Sequence, residues 1–229
     1  MRLILIRHAE SSANLEGRLQ GRLNYDLSEK GRQQAEQLFT RFSGEPLLPT
    51  HVYSSPLRRS MDTAYIVSRA WDLPIQVWDD LVEYDVGIFS GLTWVEITEK
   101  YPETAHNFER LHNWDLVEAA EPVRDRNRRG QLIVETILDR HHDNDVVLCF
   151  THGGILQHIL SAILGTNRTW GITVKNTGIF DFRVNREEWF GLGEVRLNTR
   201  YWRIAAFNDD GHLDKDLESP PPEELARDA

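Results

Sequence analysis

The sequence of 229 residues contains one cysteine, no long apolar run and fewer basic than acidic residues. With Cys149 alone, no intrachain disulfide can form, and a metal site built from several cysteines is excluded. Cys149 lies in the apolar run DVVLCF, where we expect a buried, unreactive thiol. No apolar stretch approaches the roughly 18 residues that a membrane span needs. We therefore expect no membrane association.

The formal net charge is −10. An acidic surface argues against binding to nucleic acid, whose phosphates attract basic patches. A small phosphorylated substrate remains compatible with this charge, because exposed charges more than about 10 Å away are largely screened and local arginines can dominate a cleft. The first strand follows Met1 directly and does not resemble a signal peptide, so we expect a cytoplasmic protein. A homodimer is compatible with this composition.

Strand and helix patterns alternate along the chain. Apolar or β-prone runs predict strands at residues 3–6, 51–55, 75–81, 145–150, 178–184 and 201–207. Periodic apolar positions and start signals predict helices after Ser28, from Ser55-Pro56, after Thr93, over 123–141 and over 155–164. This alternation predicts a three-layer α/β/α sandwich with a mainly parallel sheet between helices. The tail, residues 214–229, combines three prolines with many acids, and we expect it to be disordered.

Polar side chains follow the predicted strands where each strand ends. Arg7-His8 ends the first strand, Arg58-Arg59 opens the helix after the second, Glu83 follows 75–81, and His152 follows 145–150. Taken singly, each residue is more typical of a structural role or of a solvated surface. Ligands bind at the carboxyl ends of the strands in open α/β sheets, so their joint placement favours one shared site.

The known catalytic motifs are missing at this site. The chain has no HExxH, GxxxxGK[ST] or GxSxG sequence, and no GxGxxG follows the first strand. Arginine forks match phosphate oxygens, helix N-termini add N–H donors, and a histidine can act as a covalent nucleophile. Two histidines, two arginines and a carboxylate therefore favour phosphoryl transfer without a metal.

Five segments carry a resemblance to a known family. RHAES with the following Asn14, QGRLNYDLSEKGRQQA, SSPLRRSMDTA, LVEYDVGIFSGL and THGG occur in this order. They resemble the signatures of the histidine phosphatase superfamily, which also includes the cofactor-dependent phosphoglycerate mutases. The resemblance runs from residue 3 to about residue 213. It implies a single phosphoglycerate mutase-like domain over residues 1–213, with a small helical lid inserted at about 92–125.

The resemblance also implies roles for the reacting groups. His8 would be the nucleophile that becomes phosphorylated, with its other ring nitrogen bonded to a backbone carbonyl. Arg7, Arg59 and His152 would surround the transferring phosphoryl group. Glu83 would protonate the leaving oxygen and then activate water. No metal or other cofactor is implied, and the partner would be a small phosphorylated metabolite.

Further positions would contact the substrate. Asn14 would donate a hydrogen bond to the phosphate, and Gln20, Gly21 and the backbone of Gly153 fall where the family holds its substrate. The family pattern aligns its arginine with Arg59, so the preceding Arg58 would point elsewhere, because successive helical residues diverge by about 100°.

Two positions depart from the family pattern. Ala9 stands where glycine is usual, and it would be strained if that position needs a positive φ; its small side chain otherwise indicates close packing. Ser60 replaces a common alanine. Neither is a reacting group, so we expect an active enzyme.

The reaction after phosphorylation of His8 separates three functions. A phosphatase transfers the phosphoryl group to water, a mutase returns it to a phosphoglycerate, and a regulatory module only binds its ligand. In the mutases, a basic insertion follows the Glu segment and the last motif is usually His-Gly-Asn. Here His152 is followed by Gly153-Gly154 and the insertion is acidic and aromatic, which favours a phosphatase.

The lid and one loop carry further candidate ligands. Trp94, His106, Phe108, His112 and Trp114 could contact an organic leaving group. The favoured interpretation is that Trp94 and Phe108 form the apolar face of a small helical lid. His141-His142 are interpreted as solvent-facing loop residues and not as metal ligands.

Overall fold

The computed structural model describes residues 1–166, 172–186, 189 and 202–218. Its six strands are β1 Arg2–Arg7, β2 His51–Ser54, β3 Ile75–Val77, β4 Val146–Thr151, β5 Ile179–Val184 and β6 Trp202–Asp209. Its helices are α1 Ser12–Leu15, α2 Glu29–Gly44, α3 Arg58–Ser68, α4 Trp94–Lys100, α5 Pro102–Leu111, α6 Val123–Arg140 and α7 Gly153–Leu164. No helix in the described part of the chain is both long and apolar enough to cross a membrane.

The strands form one sheet in the order β3-β2-β4-β1-β5-β6. The pairs β3–β2, β2–β4 and β4–β1 are parallel, whereas β5 runs antiparallel to both β1 and β6. The predicted α/β fold with a mainly parallel sheet is therefore confirmed. Since β1, β2 and β4 run in one direction, their carboxyl ends meet at one edge of the sheet, and their amino ends meet at the opposite edge.

Helices cover both faces of the sheet. One core cluster joins the sheet to α6 and α7 through residues such as Ile137, Ile159 and Phe180. The other joins it to α2 and α3 through residues such as Leu38 and Val67. Cys149 lies in the first cluster, completely buried as predicted, and burial raises the pKa of its thiol.

Three predicted element boundaries are wrong. The strand predicted over 75–81 ends at Val77, and residues Asp79–Leu81 form a 3-10 turn, because consecutive aspartates disfavour a strand. Helix α3 begins at Arg58 and not at Pro56, with Leu57 as its N-cap. Helix α7 begins at Gly153, so the two glycines form its first turn and do not precede it.

Residues 92–125 form a cap beside the carboxyl edge. It contains α4, α5, a 3-10 turn at Trp114–Leu116 and the start of α6. The predicted Thr93 capping box at the start of α4 is present, with Glu96 as its partner. The rings of Trp94 and Phe108 pack 6.1 Å and 6.0 Å from the buried ring of Phe89.

The end of the described chain contacts α2. The side chain of Gln34 donates to the carbonyl of Leu217 over 2.7 Å, and Lys30 Nζ donates to the carbonyl of Glu218 over 2.9 Å. These contacts involve the first residues of the predicted tail. Residues 219–229 of that tail, and Tyr201 at the predicted start of the last strand, lie outside the described residues.

Candidate active site

A cavity of about 510 Å³ opens at the carboxyl edge of the sheet. Its wall includes all but one of the residues predicted for the site: Arg7, His8, Asn14, Gln20, Gly21, Arg59, Glu83 and Gly153. His152, the remaining residue, is completely buried behind the wall, with its ring centroid 5.1 Å from that of His8. The structure thus brings the predicted residues together at one edge of the sheet.

His8 is fixed through one ring nitrogen and through its backbone carbonyl. Its Nδ1 lies 2.6 Å from the carbonyl oxygen of Ala9, to which it donates in the neutral tautomer that leaves Nε2 with a lone pair. Asn176 Nδ2 donates to the carbonyl of His8 over 2.9 Å. Burial, together with the charges of Arg59 and Arg7, holds the pKa of His8 well below its ordinary value. The imidazole is therefore neutral and Nε2 is the atom presented for attack.

Arg59 connects the two histidines. Its Nε lies 3.3 Å from His8 Nε2 and 3.1 Å from His152 Nδ1, while its terminal nitrogens donate to the carbonyls of Gly21 and Leu23 over 2.9 Å and 2.8 Å. Burial lowers the pKa of Arg59 to about 10, so it stays charged at neutral pH. Arg58 points outward with a side chain 66% exposed, as the helical geometry predicted.

His152 is held in the opposite tautomer from His8. Because Arg59 donates to its Nδ1, the proton of the neutral ring is on Nε2, which lies 2.8 Å from Ser55 Oγ. Burial and then the neighbouring Arg59 hold the pKa of His152 well below its ordinary value. Ser55 Oγ in turn accepts the N–H of Leu57 over 3.3 Å, so this serine supports His152 and does not cap α3.

Arg7 supplies a second cation to the cavity. One terminal nitrogen donates to the carbonyl of Val174, while its Nε is buried and has no hydrogen-bond partner in the described part of the chain. Burial lowers the pKa of Arg7, and the charges of Glu83 and Glu10 oppose that shift. A buried guanidinium N–H without a partner is suited to an anion, because leaving such a donor unpaired is costly.

Glu83 lies at the N-terminus of α7. Its Oε2 accepts the N–H of Gly154 and its Oε1 accepts the N–H of Ile155, each over 2.8 Å. Oε1 also accepts the N–H of Tyr84 over 2.9 Å. The first N–H groups of a helix have no partner inside the helix, so they are available to fix a carboxylate. These bonds hold Glu83 at the cavity wall.

The remaining predicted positions line the cavity in different ways. Asn14 Oδ1 accepts from Ser11 N and Oγ over 3.2 Å and 3.1 Å, so Nδ2 is the group left to donate. Gln20 Oε1 accepts from Ser11 Oγ over 2.9 Å. Gly21 has φ +50° and orients its carbonyl to Arg59.

Ala9 is not strained. It is not among the described residues with positive φ, and it is completely buried in a cluster with Leu27 and Ala35. Its N–H donates to Thr63 Oγ1 over 3.0 Å. Close packing therefore explains a small residue here, and glycine is not required for the backbone.

Some residues of the cavity wall were not predicted from the sequence. These additional wall residues are Arg18, Leu19, Tyr84, Val86, Gly154, Gln157, Ile172, Thr173 and Val174. Gln157 could have been found, because it lies four residues after Gly153 on the same face of α7. Tyr84 carries the planar group of Arg126 at 3.7 Å from its ring centroid, a pair that no motif marks.

The aromatic residues of the cap do not reach the cavity. Trp94, Phe108 and Trp114 lie in the cap's own cluster, and none of the three is among the described residues that form the cavity wall. The interpretation of Trp94 and Phe108 as an apolar lid face is therefore confirmed. His141 contradicts the sequence interpretation: it is only 2% exposed, whereas His142 is exposed as expected.

Comparison with known proteins identifies the family to which the chain belongs. The model of the histidine phosphatase superfamily (branch 1) matches residues 3–193. The chain is 36% identical over 168 residues to "Phosphoserine phosphatase 1" of Hydrogenobacter thermophilus, covering 73% of this chain and 78% of that protein. It is 30% identical over 214 residues to "Metal-independent phosphoserine phosphatase" of Arabidopsis thaliana, covering 92% and 82%. Among solved structures, Bacillus stearothermophilus YhfR superimposes with a TM-score of 0.76 at 28% identity, covering 93% and 99%.

Proposed function

Because the chain belongs to the histidine phosphatase superfamily, we propose that it is a metal-independent phosphatase that hydrolyses a small phosphomonoester through a phosphohistidine on His8. The observation that carries this proposal is the neutral His8 ring. Its Nδ1 is bonded to a backbone carbonyl and its Nε2 faces a cavity lined by the partly buried Arg7 and the buried Arg59. In such a site, a nucleophile and cationic side chains can contact the same phosphoryl group.

The first step forms an N–P bond as the P–O ester bond breaks. His8 Nε2 attacks phosphorus in line with the leaving oxygen, and Glu83, in its protonated form, gives that oxygen a proton. Arg7 and Arg59 stabilise the charge on the equatorial oxygens. The binding of phosphate also offers the Arg7 Nε the partner that it lacks in the described structure.

The second step reverses the chemistry with water. Glu83, now a carboxylate, takes a proton from a water molecule, the oxygen of that water bonds to phosphorus, and the N–P bond breaks. Inorganic phosphate leaves and His8 returns to its neutral tautomer. Glu83 is suited to both steps because three backbone N–H groups fix its orientation.

His152 and the polar wall complete the site. His152 positions Arg59 through the bond between the Arg59 Nε and its own Nδ1, and it contacts the phosphoryl group when that bond opens. Asn14, Gln20, Gly21 and the backbone of Gly153 contact the remaining oxygens and the substrate. L-phosphoserine is the first substrate to test, because both relatives above are named for it.

The test is phosphate release from p-nitrophenyl phosphate and from L-phosphoserine, with and without EDTA. We expect hydrolysis that EDTA does not change and that His8→Ala abolishes, together with an acid-labile phosphoenzyme trapped by rapid quench in the wild type alone. Full activity in His8→Ala would refute the proposal. With 3-phosphoglycerate and a bisphosphorylated primer, 2-phosphoglycerate appearing faster than free phosphate would establish a mutase instead. Binding without turnover would establish a regulatory module.

A further inference from the structure

Three ligand-type side chains meet at the amino edge of the sheet, opposite the cavity. His51 begins β2, His141 follows α6, and Asp145 directly precedes β4. Each offers a ligand atom, and these atoms all lie within 4.8 Å of one another. His51 Nδ1 is 4.0 Å from one oxygen of Asp145, and His141 Nδ1 is 3.7 Å from the other.

His141 is the residue that makes this cluster unusual. Only 2% of it is exposed, and its Nδ1 is buried with no hydrogen-bond partner in the described part of the chain. Its Nε2 lies 3.2 Å from the hydroxyl of Tyr53. In the neutral tautomer with the proton on Nε2, Tyr53 accepts that proton's hydrogen bond and Nδ1 keeps a free lone pair. A buried polar atom without a partner needs an explanation.

We propose that His51, His141 and Asp145 bind a divalent metal ion of the zinc class at this edge. Two imidazoles and one carboxylate are ligands that such ions accept. The two histidines are neutral ligands and Asp145 supplies one negative charge, so the set is suited to a dication and offers nothing to an anion.

The spacing fits this ion after a small movement. In a tetrahedral zinc site with bonds of about 2.0–2.1 Å, ligand atoms lie about 3.3 Å apart. The measured 3.7 Å and 4.0 Å, which end on different oxygens of Asp145, must therefore shorten by about 0.4 Å and about 0.7 Å, and the ligand atoms all start within 4.8 Å of one another. The Thr50 hydroxyl lies 2.9 Å from His51 Nδ1 and must turn away, and the carbonyl of Val146, 3.2 Å from it, is available as an alternative acceptor.

The outer contacts resemble those that support metal ligands. A ligating histidine usually donates its second N–H to a neighbour, and Tyr53 is that neighbour for His141. The backbone N–H of His142 donates to Asp145 Oδ2 over 2.7 Å and fixes the carboxylate. His51 is partly exposed, so the ion has a path from solvent and a fourth position for water.

A metal here would join three segments that are far apart in the chain. The start of β2, the end of α6 and the turn before β4 would share one ion, far along the strands from His8. The expected effect is on folding and not on chemistry, because the ligands lie at the other edge of the sheet. The proposal therefore stands or falls independently of the phosphatase activity.

The test measures zinc binding to protein first stripped with EDTA, by competition with a chromophoric chelator. The variants are Asp145→Asn and His51→Gln, and His142→Gln is the matched control because it changes an adjacent, exposed histidine. We expect one tight zinc per chain in the wild type and in His142→Gln. Loss of one ligand should weaken zinc affinity by at least about 100-fold. That figure is the upper end of the loss of metal affinity seen when an outer contact of a ligand is removed.

Two outcomes would overturn the proposal. If all four proteins bind zinc equally, the ion is elsewhere, for example at His8 and His152. If none binds, His141 and Asp145 form only an ion pair when the histidine is protonated.

Thermal unfolding gives the second measurement. At a zinc concentration about 100 times above Kd, the Tm of the wild type and of the control should rise by about 5 °C or more. Asp145→Asn should not respond. A circular dichroism spectrum without metal that matches the wild type would show that this variant is folded.

Discussion

The two edges of the sheet carry histidine pairs with opposite surroundings. At the carboxyl edge, His8 and His152 share the guanidinium of Arg59, which lies within 3.3 Å of a nitrogen in each ring. At the amino edge, His51 and His141 face the carboxylate of Asp145. The first histidine pair therefore lies beside a cation and the second beside a carboxylate, which is why we propose an anionic ligand at one edge and a metal ion at the other.

The two edges also differ in what we expect of them: the carboxyl edge should affect catalysis, and the amino edge should affect the stability of the fold. At the carboxyl edge, burial and then the neighbouring arginines lower the pKa of both imidazoles, and burial also lowers the pKa of Arg7 and Arg59, which the charge of Glu83 partly offsets. Under the proposed function, a bound phosphate would offset the cost of burying these cations. At the amino edge, the carboxylate of Asp145 faces the two imidazoles, and the proposed ion would join the three segments that carry these side chains. Four predictions test this contrast, from the largest expected effect to the smallest.

Removing the acid from the cationic edge should have the largest effect. Glu83→Gln keeps an acceptor for the first N–H groups of α7 but cannot transfer a proton, so kcat should fall about 10²–10⁴-fold. The loss should be smaller for p-nitrophenyl phosphate than for an alkyl phosphate, because nitrophenolate leaves without a proton. The exposed Glu118→Gln is the control. An equal loss on both substrates would contradict this role.

Changing the shared cation should have the next largest effect. Arg59→Lys keeps the charge but loses the Nε that contacts both histidines, and kcat/KM should fall about 10²–10³-fold. Arg58→Lys, one position earlier and exposed, should leave kcat/KM unchanged. Steady-state kinetics on one substrate measures both. Similar losses in the two variants would show that charge near the cavity matters and that geometry does not.

Removing an outer contact at the amino edge should affect zinc alone. Tyr53→Phe takes away the acceptor for His141 Nε2, so zinc affinity should fall about 10–100-fold. Phosphate release without metal should not change. The control is Tyr65→Phe, since Tyr65 is 70% exposed. Unchanged zinc affinity would mean that Tyr53 does not orient the ligand.

His158 tests whether burial and neighbouring arginines also lower the pKa of a histidine outside the two edges. Burial, followed by the charges of Arg126 and Arg129, lowers the pKa of His158 to about 4. The unfolded chain binds a proton below about pH 6.5 that the folded chain does not, so stability is lost as pH falls from about 6.5 to about 4. His158→Gln should reduce this slope by at most about 1.4 kcal/mol per pH unit.

Urea unfolding at pH 5 and pH 7 measures that slope. The exposed His106→Gln is the matched control and should keep the wild-type pH dependence. A slope that His158→Gln leaves unchanged would show that the burial of this ring does not restrict its protonation.

Local patterns in the sequence were sufficient to predict the order of the elements and the gathering of polar residues at one edge, whereas the roles of those residues came from the family resemblance. Strand ends that carry Arg7-His8 and His152 could be located because parallel strands deliver their ends to one edge. Arg59 was chosen over Arg58 because the family pattern aligns its arginine there, and helical geometry adds only that the two side chains diverge. Boundaries failed where a side chain was used elsewhere, as when Ser55 bonds to His152 and does not cap α3.

Contacts across the fold could not be predicted. The stacking of Arg126 on Tyr84 joins residues 42 positions apart, and neither lies in a pattern that marks the pair. His141 stands in a polar loop sequence, HHDND, which is typical of an exposed turn. It is buried because its ring packs in the space between Tyr53 and His51, 5.6 Å and 4.4 Å between centroids. Only the tertiary structure supplies that space.

Gly154 limits how this sequence can change over time. A Cβ added there would lie 2.0 Å from the ring of Tyr84 and 2.7 Å from Glu83 Oε1. The asparagine that the mutases usually carry after His-Gly therefore requires the Tyr84 ring and the Glu83 carboxylate to move. Movement of Tyr84 would also displace the ring on which Arg126 stacks. Any change toward the His-Gly-Asn motif would thus disturb two residues of the cavity wall and the ring on which Arg126 stacks.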